Sequence, residues 1–123
     1  MKRARLFDGV DEAGEPFFAP DHPRLSDEQR ELVVRFLDSG TTVRRVSRLD
    51  VDRVDRSRGN VVPMTSRTDG TWLWNSGLRY YVDRYGIAPE PEFLRHMAAC
   101  EYVAVPADEQ GKQEALAVLR GAR

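Results

Sequence analysis

The chain predicts an α+β fold: a single domain in which a small antiparallel sheet, built around a central β-hairpin at about residues 61 to 74, is packed by about four helices. Three observations carry that prediction. Several segments place their apolar residues on one helical stripe. Two strand-like runs flank Asp69-Gly70, a dipeptide that tolerates the positive φ angles of a tight hairpin turn. With 123 residues, 41% of them hydrophobic and 32% charged, the chain suffices for one core without disulfides or a structural metal.

Residues 1 to 25 read as an extended N-terminal arm, and residues 26 to 123 as the α+β domain. Gly9, Gly14, Pro16, Pro20 and Pro23 leave the arm little periodicity. A short strand is expected near Arg5 to Phe7, with Phe17 and Phe18 tacking the arm down. The first helix spans about Ser26 to Ser39. Ser26 and Gln29 form a capping-box pattern, Leu32, Val33, Phe36 and Leu37 share one side, and Gly40 is placed to end the helix.

From Thr41 to about Leu49 the β-branched content predicts a strand. Val43, Val46 and Leu49 recur every three residues instead of every two, which points to a bulge or an edge position. Asp50 to Asn60 is polar and reads as a loop, after which Val61 to Arg67 and Thr71 to Trp74 form the hairpin. Pro63 cannot donate a ladder hydrogen bond, so an edge or bulge is expected there. A second helix, about Ser76 to Tyr85, carries Leu78, Tyr81, Val82 and Tyr85 inward and ends at Gly86. A third runs from about Glu92 to Cys100, with Phe93, Leu94, Met97 and Ala98 facing the core. Tyr102 to Val105 reads as a short strand closed by Pro106, and the last helix spans about Asp108 to Arg120.

With Asp69 and Gly70 as central turn residues, Arg67 faces Trp72 and Thr65 faces Trp74. Both indoles then share one face, while Leu73 projects to the other with Ser66 and Met64. Either face can cover the core. If the helices pack on Leu73, the tryptophans join Arg67 and Tyr80 in an exposed patch of the residue types that anchor partners. If they pack on the indoles, Trp72 and Trp74 are core. Tyr80 is expected on the wet side of its helix in both cases.

Charge is unevenly distributed. Residues 41 to 67 carry seven arginines against three aspartates, a net +4, whereas residues 1 to 39 carry −3 and residues 68 to 123 carry −2. This basic band, with Arg45, Arg48 and Arg67 as its candidate contacts, suits an acidic protein partner. It also suits a nucleic-acid backbone with Trp72 and Trp74 stacking on bases, although Asp50, Asp52 and Asp55 lie among the arginines.

Catalytic and metal signatures are absent. Asp50, Asp52 and Asp55 briefly resemble a calcium loop, but the required glycine is missing and Val61 stands where a glutamate belongs. His96 and Cys100 lie one helical turn apart, a spacing that brings imidazole near thiol; a free cysteine in that register is ordinarily packing. Cys100 is the single cysteine, so no intrachain disulfide or multi-cysteine zinc site forms, and a reducing cytoplasm is the expected compartment. No nucleotide, hydrolase or kinase motif occurs, and the expectation is no catalytic residue, no cofactor and no metal. No apolar run is of membrane length, so no membrane partner is expected.

The block Val62-Pro63-Met64-Thr65-Ser66-Arg67-Thr68-Asp69-Gly70-Thr71-Trp72-Leu73-Trp74, with Tyr80-Tyr81 through Ile87-Ala88-Pro89, resembles small bacterial α+β proteins that carry this hairpin. Some of these are similar to immunity proteins of polymorphic toxin systems. The resemblance covers about residues 60 to 97 and transfers no catalytic residue. It implies a small protein-binding module that neutralises a toxin by surface complementarity. A nucleic-acid binder using the same arginines, or an enzyme built on His96, Cys100 or convergent carboxylates, are the alternatives.

Overall fold

The computed structural model describes residues 1–121. Positions 122 and 123, the end of the predicted domain, lie outside the described residues. The fold is α+β, as the sequence predicts. Its main sheet has four strands in the order β1-β8-β7-β4. These are β1 (Lys2–Arg3), β4 (Thr41–Arg44), β7 (Ser66–Thr68) and β8 (Trp72–Asn75). Two short ladders stand beside it: β2 (Gly9–Val10) with β3 (Pro16–Phe17), and β5 (Asp50–Val51) with β6 (Asn60–Val62). The helices are α1 (Asp27–Asp38), α2 (Ser76–Tyr85), α3 (Pro91–Ala99) and α4 (Glu109–Leu119). Among the described residues no helix is long and apolar enough to cross a membrane.

The N-terminal strand falls at Lys2–Arg3, three residues before the expected Arg5 to Phe7, and it is parallel to β8. The Lys2 and Ala4 amides donate to the Thr71 and Leu73 carbonyls, at 3.0 and 2.8 Å. The arm therefore completes an otherwise open sheet edge, a long-range pairing with no local signature. Phe18 stacks its edge on Tyr81 with ring centroids 4.9 Å apart, whereas Phe17 is 40% exposed.

The hairpin register differs from expectation. Thr68 pairs with Leu73, Arg67 with Trp74 and Ser66 with Asn75, a slip of two residues. Gly70, with φ +89°, takes the first central position of the turn, where a left-handed glycine is needed, and Asp69 moves back into the flank. Asp69 Oδ1 captures the amides of Thr71 and Trp72 at 3.0 and 2.8 Å, and Thr68 Oγ1 donates to the Trp72 carbonyl at 2.7 Å. A slip of two preserves side-chain parity, so the tryptophans still share a face.

Pro63 ends the preceding run at β6, and the hairpin arm starts only at Ser66. The bulge expected in the Thr41 strand is present: β4 is an edge strand whose register shifts between Thr42 and Arg44. No ladder forms at Tyr102 to Val105. Glu101 and Tyr102 turn left-handed after α3, with φ of 53° and 60°, and the Arg35 guanidinium binds both of their carbonyls.

Helices cover both faces of the sheet. On the indole face, Trp72 stacks on Phe93 of α3 with centroids 4.6 Å apart, and Trp74 donates from Nε1 to the Leu37 carbonyl at the end of α1. A Cβ at Gly40 would collide with the Trp74 ring, so glycine serves close approach of the indole there, and Ser39 is the helix cap. On the other face α4 packs against β4 and β7, with Leu119 near Leu73. Fully burying a large apolar side chain contributes about 1.5–3 kcal/mol, so the two tryptophans anchor the hairpin on this face as Leu73 does on the other.

Candidate functional site

A groove of about 510 Å³ opens beside β4, floored by Phe7, Val46, Leu49 and Met64. Arg3, Arg44, Arg48 and Arg53 rim it. The edge strand supplies Arg44, and the irregular chain after its bulge delivers Arg45 and Arg48 to solvent. Arg53 is spoken for: it pairs with Asp50 at 2.9 Å and Glu15 at 2.6 Å. The Asp50 hydrogen bonds, partly opposed by burial, hold its guanidinium above the ordinary value. Arg56 also pairs with Glu15, and Arg58 lies 3.7 Å from Asp52. Among the described residues Arg3, Arg44, Arg45 and Arg48 enter no ion pair. Leu49 beside them is 44% exposed.

The predicted contact residues therefore divide. Arg45 and Arg48 are exposed, and Arg48 lines the groove. Arg67 is half-buried, donates to the Gly40 carbonyl at 3.0 Å and, by strand alternation from Ser66, belongs to the opposite sheet face. It lines a smaller cleft of about 300 Å³ with Tyr80 and Arg79. Trp72 and Trp74 are 3% and 2% exposed; α1 and α3 cover them, so of the two alternatives they are core, and the conditional expectation that they contact a partner is corrected. Tyr80 is half-buried, not free on a wet helix face, because its hydroxyl donates to Asp52 at 2.6 Å and accepts from Arg58 at 3.2 Å. Arg3, Phe7 and Met64 were not predicted for the groove, since only β1 pairing and the Pro63 break bring them there.

Asp52 is fully buried and saturated. Its Oδ1 accepts from the Val54 and Asp55 amides at 2.8 and 2.9 Å, and its Oδ2 accepts from the Tyr80 and Tyr85 hydroxyls at 2.6 and 2.7 Å. Burial alone would push this carboxyl up; the four hydrogen bonds outweigh it and hold the group below its ordinary range. Burial, reinforced by Asp52, pushes the Tyr85 phenol up to about 12. Asp52 thus organises its loop, with a donor on each of its carboxylate oxygens.

A third constellation joins the turn to α3. His96 Nε2 lies 2.6 Å from Asp69 Oδ2, and Cys100 Sγ lies 3.7 Å from the same nitrogen. Asp69 is 7% exposed, whereas His96 and Cys100 are half-buried. A nucleophilic triad needs thiol and carboxylate on opposite ring nitrogens. Here one nitrogen meets both. Burial, with the Asp69 charge, also pushes the Cys100 thiol up, away from the reactive thiolate. The i, i+4 spacing of His96 and Cys100 was visible in sequence; the approach of Asp69 was not. The other histidine, His22, bridges Asp8 at 2.8 Å and the Ala88 carbonyl at 2.8 Å, which spends both ring nitrogens on anchoring the arm.

No family model, curated protein or solved structure matches this chain.

Proposed function

We propose that this chain is a protein-binding module that grips an acidic protein partner through the arginine-rimmed groove, as an immunity-type inhibitor of a bacterial toxin. One observation carries the reading. Within a single arginine band, Arg53, Arg56 and Arg58 are neutralised by neighbours, while Arg44 and Arg48, joined by Arg3 from the arm, rim apolar surface and Arg45 stands exposed beside them, none of the four in an ion pair among the described residues. Such cations steer an acidic surface into place, and the Phe7–Leu49 floor accepts an apolar anchor from it. No reacting group is required.

The toxin as partner rests on the resemblance of residues 60 to 97 to immunity-type proteins. The lone Cys100 favours the cytoplasm as the place of encounter. Nucleic acid is disfavoured, because the burial of Trp72 and Trp74 removes the stacking platform and Asp50 lies in the groove.

The test is co-expression with the product of an adjoining toxin-like gene in the native cell, comparing the wild type with Arg44→Glu/Arg48→Glu. The wild type should form a stable complex and relieve toxicity. The variant should bind roughly tenfold or more weakly, chiefly through slower association at low salt. Undiminished binding by the variant, or retention of nucleic acid in place of protein, rejects the proposal.

A further inference from the structure

A carboxylate oxygen, an imidazole nitrogen and a thiol sulfur from two separate elements converge beside the β7–β8 turn. Asp69, His96 and Cys100 each offer one ligand atom, and the three atoms lie within 4.8 Å of one another. Helix α3 holds His96 and Cys100 on one face, one turn apart, with Cys100 at the C-terminal cap. Asp69 is aimed from the turn. Its Oδ1 is occupied by two backbone amides, which leaves Oδ2 facing the histidine. The imidazole is itself framed, edge-on to Phe36 at 6.0 Å and tilted against Trp72 at 6.3 Å.

One nitrogen cannot direct a single proton at the carboxylate and serve the thiol at the same time. A cation between the three atoms satisfies all of them. We propose that Asp69 Oδ2, His96 Nε2 and Cys100 Sγ form a three-ligand zinc site with its fourth position open to water. Tetrahedral zinc, with bonds of about 2.0–2.3 Å, holds its ligand atoms about 3.3–3.5 Å apart. The His96–Cys100 separation of 3.7 Å is already close to that; the Asp69 oxygen, 2.6 Å from the nitrogen and within 4.8 Å of the sulfur, must swing toward the thiol while opening its hydrogen bond by about 0.7 Å. On binding, the thiol proton leaves to solvent and the imidazole carries its proton on Nδ1. Thiolate with imidazole selects zinc over magnesium or calcium, which prefer all-oxygen shells. The raised thiol of the metal-free cluster follows from burial and from the Asp69 charge, both of which a dication would counter.

Cobalt(II) titrated into the intact chain is the direct probe, since tetrahedral cobalt–thiolate coordination has a charge-transfer band that no hydrogen bond produces. One equivalent should develop that band, and zinc should displace it. Cys100→Ser should abolish the band, and His96→Asn should weaken zinc binding roughly tenfold or more. Asp69→Asn keeps a carbonyl oxygen for the turn amides while removing the anionic ligand, so zinc should weaken with the near-ultraviolet circular dichroism unchanged. A wild-type chain without the thiolate band, or zinc affinity that is the same in all three variants, overturns the site.

Discussion

Asp52 and Asp69 begin with the same local job and end in different places. Each is buried in a turn, and each uses Oδ1 to capture the amides two and three residues ahead. The difference lies in Oδ2. For Asp52 it receives two phenol hydroxyls from α2 and is saturated in a sealed interior. For Asp69 it meets one imidazole nitrogen, with a thiol just beyond, and it is these two partners, both half-buried, that reach solvent. The first arrangement is closed and structural; the second retains coordination capacity. An aspartate's turn role is thus set by its neighbours in sequence, and its chemistry by whatever the fold brings to the second oxygen.

Removing the closed knot should have the largest effect. Asp52→Ala strands two loop amides and two phenols, and should cost about 3–5 kcal/mol in urea unfolding. Asp52→Asn retains an acceptor for the amides and should cost about 1–2 kcal/mol. If Asp52→Ala costs no more than a surface substitution, the knot is not a structural centre and the contrast with Asp69 collapses.

Titration sharpens the same contrast. The Asp52 carboxyl is depressed in the native state, so its contribution is full above the unfolded carboxyl value near pH ~4 and is lost as pH falls through the native one. The phenols act at the other end. Burial pushes Tyr81 up to about 12, and burial with the Asp52 hydrogen bond does the same for Tyr85. Both stay protonated in the native chain while an unfolded phenol ionises near pH ~10, so stability should decline between pH ~10 and about 12. Phenolate absorbance followed against thermal melting would check it. In Asp52→Asn the Tyr85 part of this limb should move toward pH ~10; a limb that stays put would show that Asp52 does not hold that phenol.

How much of this could be read in the chain differs between the two regions. The helical stripes of α1, α2 and α3 and the capping by Ser26 are local patterns, and local patterns are legible. The shared face of Trp72 and Trp74 followed from strand alternation and survived a register slip of two, because parity did. The slip itself came from Asp69 capturing amides ahead of it, a competition between side chain and ladder that Asp-Gly alone does not reveal. Burial of the indole face depended on α1 and α3 arriving together, and α4 covers the Leu73 face as well. Tyr80 was expected in solvent because its helix pattern is locally polar there, yet a carboxylate 28 positions earlier claims its hydroxyl. The groove was half legible: the arginine excess was countable, but which arginines are neutralised depends on Glu15 in the arm.

Substitutions at the open cluster should have smaller effects and should separate the two jobs of Asp69. Asp69→Ala loses the amide capture and the histidine contact, and should cost about 1–2 kcal/mol, less than Asp52→Ala because it strands two amides but no pair of phenols. Asp69→Asn keeps the capture and should cost about 0.5 kcal/mol in metal-free buffer. If both cost as much as Asp52→Ala, the turn is as closed as the knot and the distinction between the two aspartates is one of degree.

The smallest expected change is at Cys100, and it is the most discriminating. The thiol is half-buried and its contact with His96 is long at 3.7 Å, so exchanging sulfur for oxygen removes little packing and strands no polar group. Metal-free Cys100→Ser should unfold within about 0.5 kcal/mol of the wild type in urea. A loss of about 2 kcal/mol would mean that the sulfur is core filling, held for its volume, and the Asp69 cluster would then be a second structural knot. Neutrality would instead leave the thiol with no structural task beside a carboxylate and an imidazole, which is the condition a ligand must meet if its purpose is to bind what the fold itself does not supply.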